Sequence, residues 1–221
     1  MRDALPSPLP LDTTLTLDAD QRPLYGHDIE RFRARMGLVN ADMAQAMCIL
    51  PGKYQQAVRN PDPLPLNQDI LLRLYQHSPS PSSWQSWSPG EAFEVFYGPL
   101  LRSFVLPTQR DAAQVMLRRR FAALMGRSYG RTASWIDGNQ GHSLSVQRIL
   151  GKLVEFETPH AVLEPLAARA HAVRGLDLEA LAPLPTLAQL IRSRRGRRPN
   201  RIHWDCSPPE AHACAVLGGR P

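Results

Sequence analysis

Of the 26 cationic side chains in this chain, 24 are arginines; Lys53 and Lys152 are the two lysines. Guanidinium groups pair bidentately with phosphates and with the edge of guanine. A GC-rich coding bias would enrich arginine in the same way. Position separates the two explanations. Residues 1–107 hold nine Lys and Arg against eleven Asp and Glu, and residues 108–221 hold 17 against nine. Codon bias has no reason to fill one half. A basic half points first to nucleic acid, then to acidic membrane or protein surfaces. Two runs concentrate the charge. Arg118, Arg119 and Arg120 are consecutive, and the segment 192–201, RSRRGRRPNR, has six arginines and no acid. The first run is either a phosphate-facing patch or a solvated helix face. The second lies along phosphates or in a minor groove, or is a solvated tail.

Other chemistries find less support. His203, Cys206, His212 and Cys214 are zinc-type ligands in the order H-x2-C-x5-H-x-C, a spacing that matches no common finger, so no metal or other cofactor is assigned. No phosphate-binding G-x4-G-K-[ST], no G-x-S-x-G, no H-E-x-x-H and no dinucleotide fingerprint occurs. The acids are scattered, without a paired-carboxylate site. The chain is therefore read as a binding protein, not an enzyme. Three cysteines are too few for a disulfide framework. No apolar run approaches the roughly 18–20 residues of a membrane span. The opening MRDALPSPLPL lacks the unbroken apolar core of a secretory signal. The expectation is a cytoplasmic, nucleoid-associated bacterial protein without a membrane partner.

The elements that must position these residues are helical. Proline is abundant (21 residues) and β-branched alternation is scarce, which predicts helices separated by stiff connectors. Residues 1–26 have no helical period and form a flexible lead-in. Asp28 caps DIERFRARMG, whose Ile29, Phe32 and Met36 share one face before Gly37 ends it. NADMAQAMCI follows with Met43, Ala44 and Met47 inward. Leu50-Pro51-Gly52 turns into KYQQAVRN, and NQDILLRLYQHS turns Ile70, Leu71, Leu74 and Tyr75 inward. The segment 79–90 reads as a Pro/Ser-rich linker; its tryptophans, Trp84 and Trp87, pack onto one neighbour. Beyond it come EAFEVFYGPLLRSFV, interrupted at Gly98-Pro99, then the long QRDAAQVMLRRRFAALMG, then YGRTASWID and HSLSVQRILGKLVEF. Helices at 161–174 and 177–194 precede a mobile tail. The expected organisation is a lead-in (1–26), a first domain (27–78), a linker (79–90), a second domain (91–158), C-terminal helices (159–194) and a basic tail (195–221).

Sliding the chain on itself until Ala44 meets Ala122 also sets Met47 against Met125, Gly52 against Gly130, Lys53 against Arg131 and Val58 against Ile136. Asn60 meets Gly138 and Leu66 meets Leu144. A slip of one position then places Ile70-Leu71-Leu72-Arg73-Leu74 on Ile149-Leu150-Gly151-Lys152-Leu153. The pattern is a small Ala at a helix crossing, a turn residue four positions later, and an apolar pair closing the unit.

At these residues the chain resembles the helix-turn-helix proteins of phage-repressor and Cro type, the XRE type. Ala122, Gly126, Ser128, Trp135 and Gly138 stand where that family has its small Ala, turn Gly, cap Ser, buried aromatic and closing Gly. LSVQRILGKL resembles its fourth helix. In the first copy Ala44, Asn60, Pro65 and ILLRL fit, with Cys48 in place of the turn Gly and Pro51 at the start of the reading helix. The resemblance covers about 50 residues around 28–77 and about 45 around 110–155. It implies an all-α fold: two small lambda-repressor-like helix-turn-helix bundles joined by the linker, with extra C-terminal helices.

The resemblance also implies a partner, double-stranded DNA. The major groove admits one helix, and the preceding helix lies across the backbone to hold it there. It would place Tyr129, Gly130, Arg131 and Ser134 on the reading face of the second copy, with Arg118 and Arg127 reaching phosphates. In the first copy the exposed candidates are Lys53, Gln55, Gln56 and Arg59; Gln pairs bidentately with adenine but is also an ordinary surface residue. Tyr54 and Trp135 are expected to pack inward. The implied function is sequence-specific duplex binding, as a transcriptional regulator. The alternatives are a nucleoprotein accessory factor in plasmid or mobile-element transfer, partition or replication, and a protein-interaction module built on a degenerate helix-turn-helix. The chain reads two half-sites alone, or dimerises or recruits a partner regulator through its other helices.

Overall fold

The computed structural model describes residues 21–79, 86–138 and 141–186. Residues 1–20, 80–85 with Trp84, 139–140, and 187–221 with the arginine cluster and the four zinc-type ligands lie outside these. The described residues are all-α: no strand occurs among them, and Tyr25 and Pro63 form an isolated bridge. No described helix is long and apolar enough to cross a membrane.

The first unit comprises α1 (Gly26–Arg35), α2 (Asn40–Ala46), a 3-10 turn (Pro51–Lys53) running into α3 (Tyr54–Arg59), and α4 (Leu66–His77). The second comprises α5 (Pro89–Ser103), α6 (Pro107–Leu124), α7 (Tyr129–Ile136) and α8 (Leu144–Leu153). They are followed by α9 (Pro159–Ala172) and α10 (Leu178–Leu181). In both units the first helix packs on the second and third: α1 on α2 and α3, α5 on α6 and α7. At the start of each first helix a glycine makes the approach close. A Cβ on Gly26 would lie 2.7 Å from the Val58 carbonyl oxygen, and one on Gly90 would lie 2.8 Å from that of Ile136. Val58 and Ile136 are themselves a matched pair in the self-alignment of the chain.

Both units contribute to one hydrophobic core. The fourth helices, α4 and α8, pack on each other, and α9 packs on α4 and α6. Ile70 and Leu71 of α4 are fully buried, as are Ile149 and Leu150 of α8. The slip that aligns Arg73 with Lys152 carries a physical equivalence too, since both cations are buried, each against a carboxylate on its own helix or just beyond. Arg73 Nε donates to Asp69 at 2.6 Å, and Lys152 Nζ donates to Glu155 at 2.5 Å.

Four expectations need correction. The segment expected as linker to residue 90 gives way to helix at Pro89: the Ser88 hydroxyl accepts the Glu91 N–H while Glu91 accepts the Ser88 N–H, a closed capping box. The expected break at Gly98-Pro99 is absent. Pro99 frees the carbonyl of Val95 four residues back, and both residues are exposed, so water can satisfy it and α5 runs through. Met36, expected inward, is the C-cap of α1 and is exposed. The helix expected over 177–194 ends at Leu181, where Pro183 and Pro185 follow and remove backbone donors.

Candidate nucleic-acid interface

The two turns that precede α3 and α7 have the same hydrogen bonds. After α2, the N–H of Cys48 donates to the Gln45 carbonyl at 3.2 Å and that of Ile49 to the Ala44 carbonyl at 2.8 Å. After α6, Gly126 donates to Ala123 at 2.9 Å and Arg127 to Ala122 at 2.9 Å. Both are Schellman closures, in which the residue at the turn must be left-handed. Gly126 has φ +64°, and Cys48 adopts +56° despite its side chain. Ala44 and Ala122 are buried at the two crossings, as their small size requires.

The third helix of the first unit presents a polar face outward. In the first unit Lys53, Gln55, Gln56 and Arg59 are all exposed, while Tyr54 is buried. Its hydroxyl donates to Glu30 Oε2 at 2.9 Å, and Arg33 forks onto the same carboxylate, from its Nε to Oε2 at 2.9 Å and from a terminal nitrogen to Oε1 at 2.6 Å. The ion-paired hydrogen bond from Arg33 keeps the Glu30 carboxyl below its usual range, with that from Tyr54 assisting. Burial, and then the Glu30 carboxylate, push the Tyr54 phenol up. The network pins α3 to α1. Tyr54 packs as the sequence implies; its carboxylate partner, 24 residues away in sequence, carries no local signal.

In the second unit Gly130 and Arg127 are exposed, Tyr129 and Ser134 are half-buried, and Trp135 is buried. The side chain of Arg131 lies outside the described residues. Arg119 covers the Tyr129 ring at 5.3 Å from its centroid. Arg118, expected to reach phosphates, forks onto Asp137 at 2.6 Å and 3.0 Å, tying α6 to the end of α7.

The reading of Arg118–Arg120 as one solvated face fails at its third member. Arg120 is 2% exposed and binds Glu164, Glu179 at 2.5 Å and the Ala182 carbonyl at 2.8 Å, joining α6 to α9 and α10. A signal existed. Ala113, Leu117, Phe121 and Leu124 form the buried stripe of α6, and Arg120 falls inside it, one helical turn after Leu117. Sequence reasoning also missed Arg174, which donates to the Leu64 carbonyl at 2.6 Å and to Asp69 at 2.9 Å. Asp69 is fully buried and also accepts the Leu24 N–H, so one carboxylate fastens the first unit to the end of α9.

Comparisons with protein-family models, curated proteins and solved structures found no match.

Proposed function

We propose that the chain binds double-stranded DNA sequence-specifically, as a transcriptional regulator, through two helix-turn-helix units that share one core and act as a built-in pseudo-dimer. The observation that carries this is the pair of turns. They match hydrogen bond for hydrogen bond, and each is followed by a short helix that buries an aromatic ring, Tyr54 in the first unit and Trp135 in the second; in the first unit Lys53, Gln55, Gln56 and Arg59 stand exposed beside it. Helix-turn-helix dimers read two half-sites at a spacing set by their symmetry. The mutual packing of α4 and α8 would supply that symmetry within one chain. Lys53, Gln55, Gln56 and Arg59 form the first reading face. Gly130, Arg131 and Ser134 form the second, flanked by Tyr129 and by Arg127 toward the phosphates.

A second reading, a protein-interaction module, has one observation in its favour. Of the eight Lys and Arg within residues 108–153, Arg120 and Lys152 are buried and Arg118 is committed to Asp137, so the basic surface is smaller than the sequence suggests. Binding of the full chain to randomised duplex, with selection and footprinting, separates the readings. The expected result is a two-part footprint and an affinity that falls steeply with salt as counterions are released. Absence of duplex binding at low salt would overturn the DNA reading. Double substitution of Lys53 and Gln56 by Ala should relax one half-site, and Arg131→Ala with Ser134→Ala the other, each by roughly 1–3 kcal/mol where a bidentate contact is lost.

A further inference from the structure

The contact between the units is made twice, with different outcomes. On one side the turn of the second unit meets the start of α4: a Cβ on Gly126 would lie 2.6 Å from the Asn67 nitrogen. That side is closed. The shift that matches Ala44 to Ala122 converts Gly126 into Cys48, and Leu66-Asn67 into Leu144-Ser145. On the other side the Cys48 turn does face Leu144, but across a cleft of about 510 Å³. Ile49, Leu50, Pro51 and Leu144 give it apolar walls, and Arg148 and Asp42 stand in its lining. Leu50 and Leu144 are 67% and 66% exposed, the two most exposed leucines among the described residues. The counterpart of Leu144 across the shift differs: Leu66 is packed against the core. Two strongly exposed leucines thus face each other at the open copy of an interface whose other copy is sealed.

We propose that this cleft is a small-molecule site for an amphiphile with an apolar body and an anionic head. The volume falls in the range of ligand pockets, about 300–1,000 Å³, as does the mix of apolar walls and few polar groups. Leu50, Leu144 and Ile49 would cover the apolar body. Arg148 supplies the charge for the head. It is half-buried and hydrogen-bonds the Cys48 thiol, which burial pushes away from ionisation, so this contact leaves the guanidinium charge in place on the wall of the cleft. Position makes the site regulatory. Its walls include α2, the turn and the residues leading into the first reading helix on one side, and α8 of the second unit on the other. A ligand seated there changes the free energy of the arrangement that both reading helices share, and linkage makes the effect reciprocal. The regulatory part rests on the DNA reading; the binding part does not.

The test uses the full chain and two fluorescent probes, anionic 8-anilinonaphthalene-1-sulfonate and neutral N-phenyl-1-naphthylamine. Both should bind saturably at one site. Leu144→Trp, which fills the cleft, should abolish the saturable phase for both. Leu50→Ser should weaken both and serves as the control if the tryptophan variant does not fold, as judged by helical circular dichroism. Arg148→Gln should weaken the anionic probe about tenfold and leave the neutral one unchanged. Equal binding by wild type and cleft variants would overturn the site, and equal losses of both probes in Arg148→Gln would overturn the anionic head. The third arm is duplex affinity with and without saturating anionic probe, where a change absent in Leu144→Trp is expected. Cleft binding without any duplex binding would sink the proposed function and leave the site standing. Duplex binding unmoved by a bound probe would sink the regulation alone.

Discussion

The sides of Gly126 and Cys48 are built from the same backbone and finished differently. Each turn closes its helix with the same two hydrogen bonds and the same left-handed residue, and each faces the start of the other unit's fourth helix. At Gly126 the absence of a side chain lets the chains touch, and Arg174 bolts that side through Leu64 and Asp69. At Cys48 a thiol occupies the equivalent place, and the fourth helix stands off across the cleft. The difference shows that duplicated backbone geometry does not duplicate an interface. A side chain at one turn and none at the other, and an ion pair behind the closed one, distinguish the two copies.

The largest effect should come from removing the bolt. Asp69 is fully buried, and it holds Arg73, which is 3% exposed, as well as Arg174. Asp69→Ala leaves these cations without their carboxylate, a loss of roughly 3–5 kcal/mol for a broken buried pair. Urea unfolding should show the drop. A cost under about 1 kcal/mol would mean that the sealed side does not depend on the bolt.

Next come the reciprocal turn exchanges. Gly126→Ala puts a Cβ at 2.6 Å from the Asn67 nitrogen and at positive φ, and should cost roughly 2–4 kcal/mol. Cys48→Gly relieves a left-handed non-glycine residue but gives up a half-buried side chain, so it should fall within about 1 kcal/mol of zero. Unfolding free energies for the two variants test the comparison directly. If the exchange at Cys48 costs as much as the one at Gly126, both sides are equally sealed and the cleft loses its meaning.

Local signals carried much of this architecture. Gly37, Asn40, Pro51 and the apolar spacing of residues 70–75 mark α1 to α4 close to their observed ends, because caps and helical faces are written within a few residues. The self-alignment of the chain points to the turn equivalence, including the unusual Cys48. The closed and open sides were not legible, because they depend on contacts such as Arg174 to Asp69, 105 residues apart. Pro99 misled for the opposite reason: a strong local breaker was overridden at an exposed position, where water can satisfy the carbonyl it frees. Among the candidate site residues, the exposure of Lys53, Gln55, Gln56 and Arg59 followed from Tyr54 packing inward. The sequestration of Arg118 and Arg120 depends on Asp137, Glu164 and Glu179, all remote in sequence from the arginine run.

The smallest expected effect concerns how each third helix is tied down. In the second unit the tie is the exposed fork of Arg118 on Asp137; in the first it is Glu30, bridging Arg33 and Tyr54. Glu30→Gln keeps an acceptor for the Tyr54 hydroxyl and removes only the charge. The Glu30 side chain is 37% exposed, so solvent screens most of the pair and the loss at neutral pH should stay within about 1 kcal/mol. Its pH dependence is the sharper readout. The folded carboxyl titrates below its usual value. Its contribution is therefore complete above the unfolded value of about 4.3 and disappears as pH falls through the lower folded value. The stability difference between wild type and Glu30→Gln should be flat from neutral pH to about pH 5 and close toward zero below about pH 4. Parallel denaturation curves down the acid limb would mean that the charge on Glu30 does not hold α3, and that this helix is tied by packing of the Tyr54 ring alone.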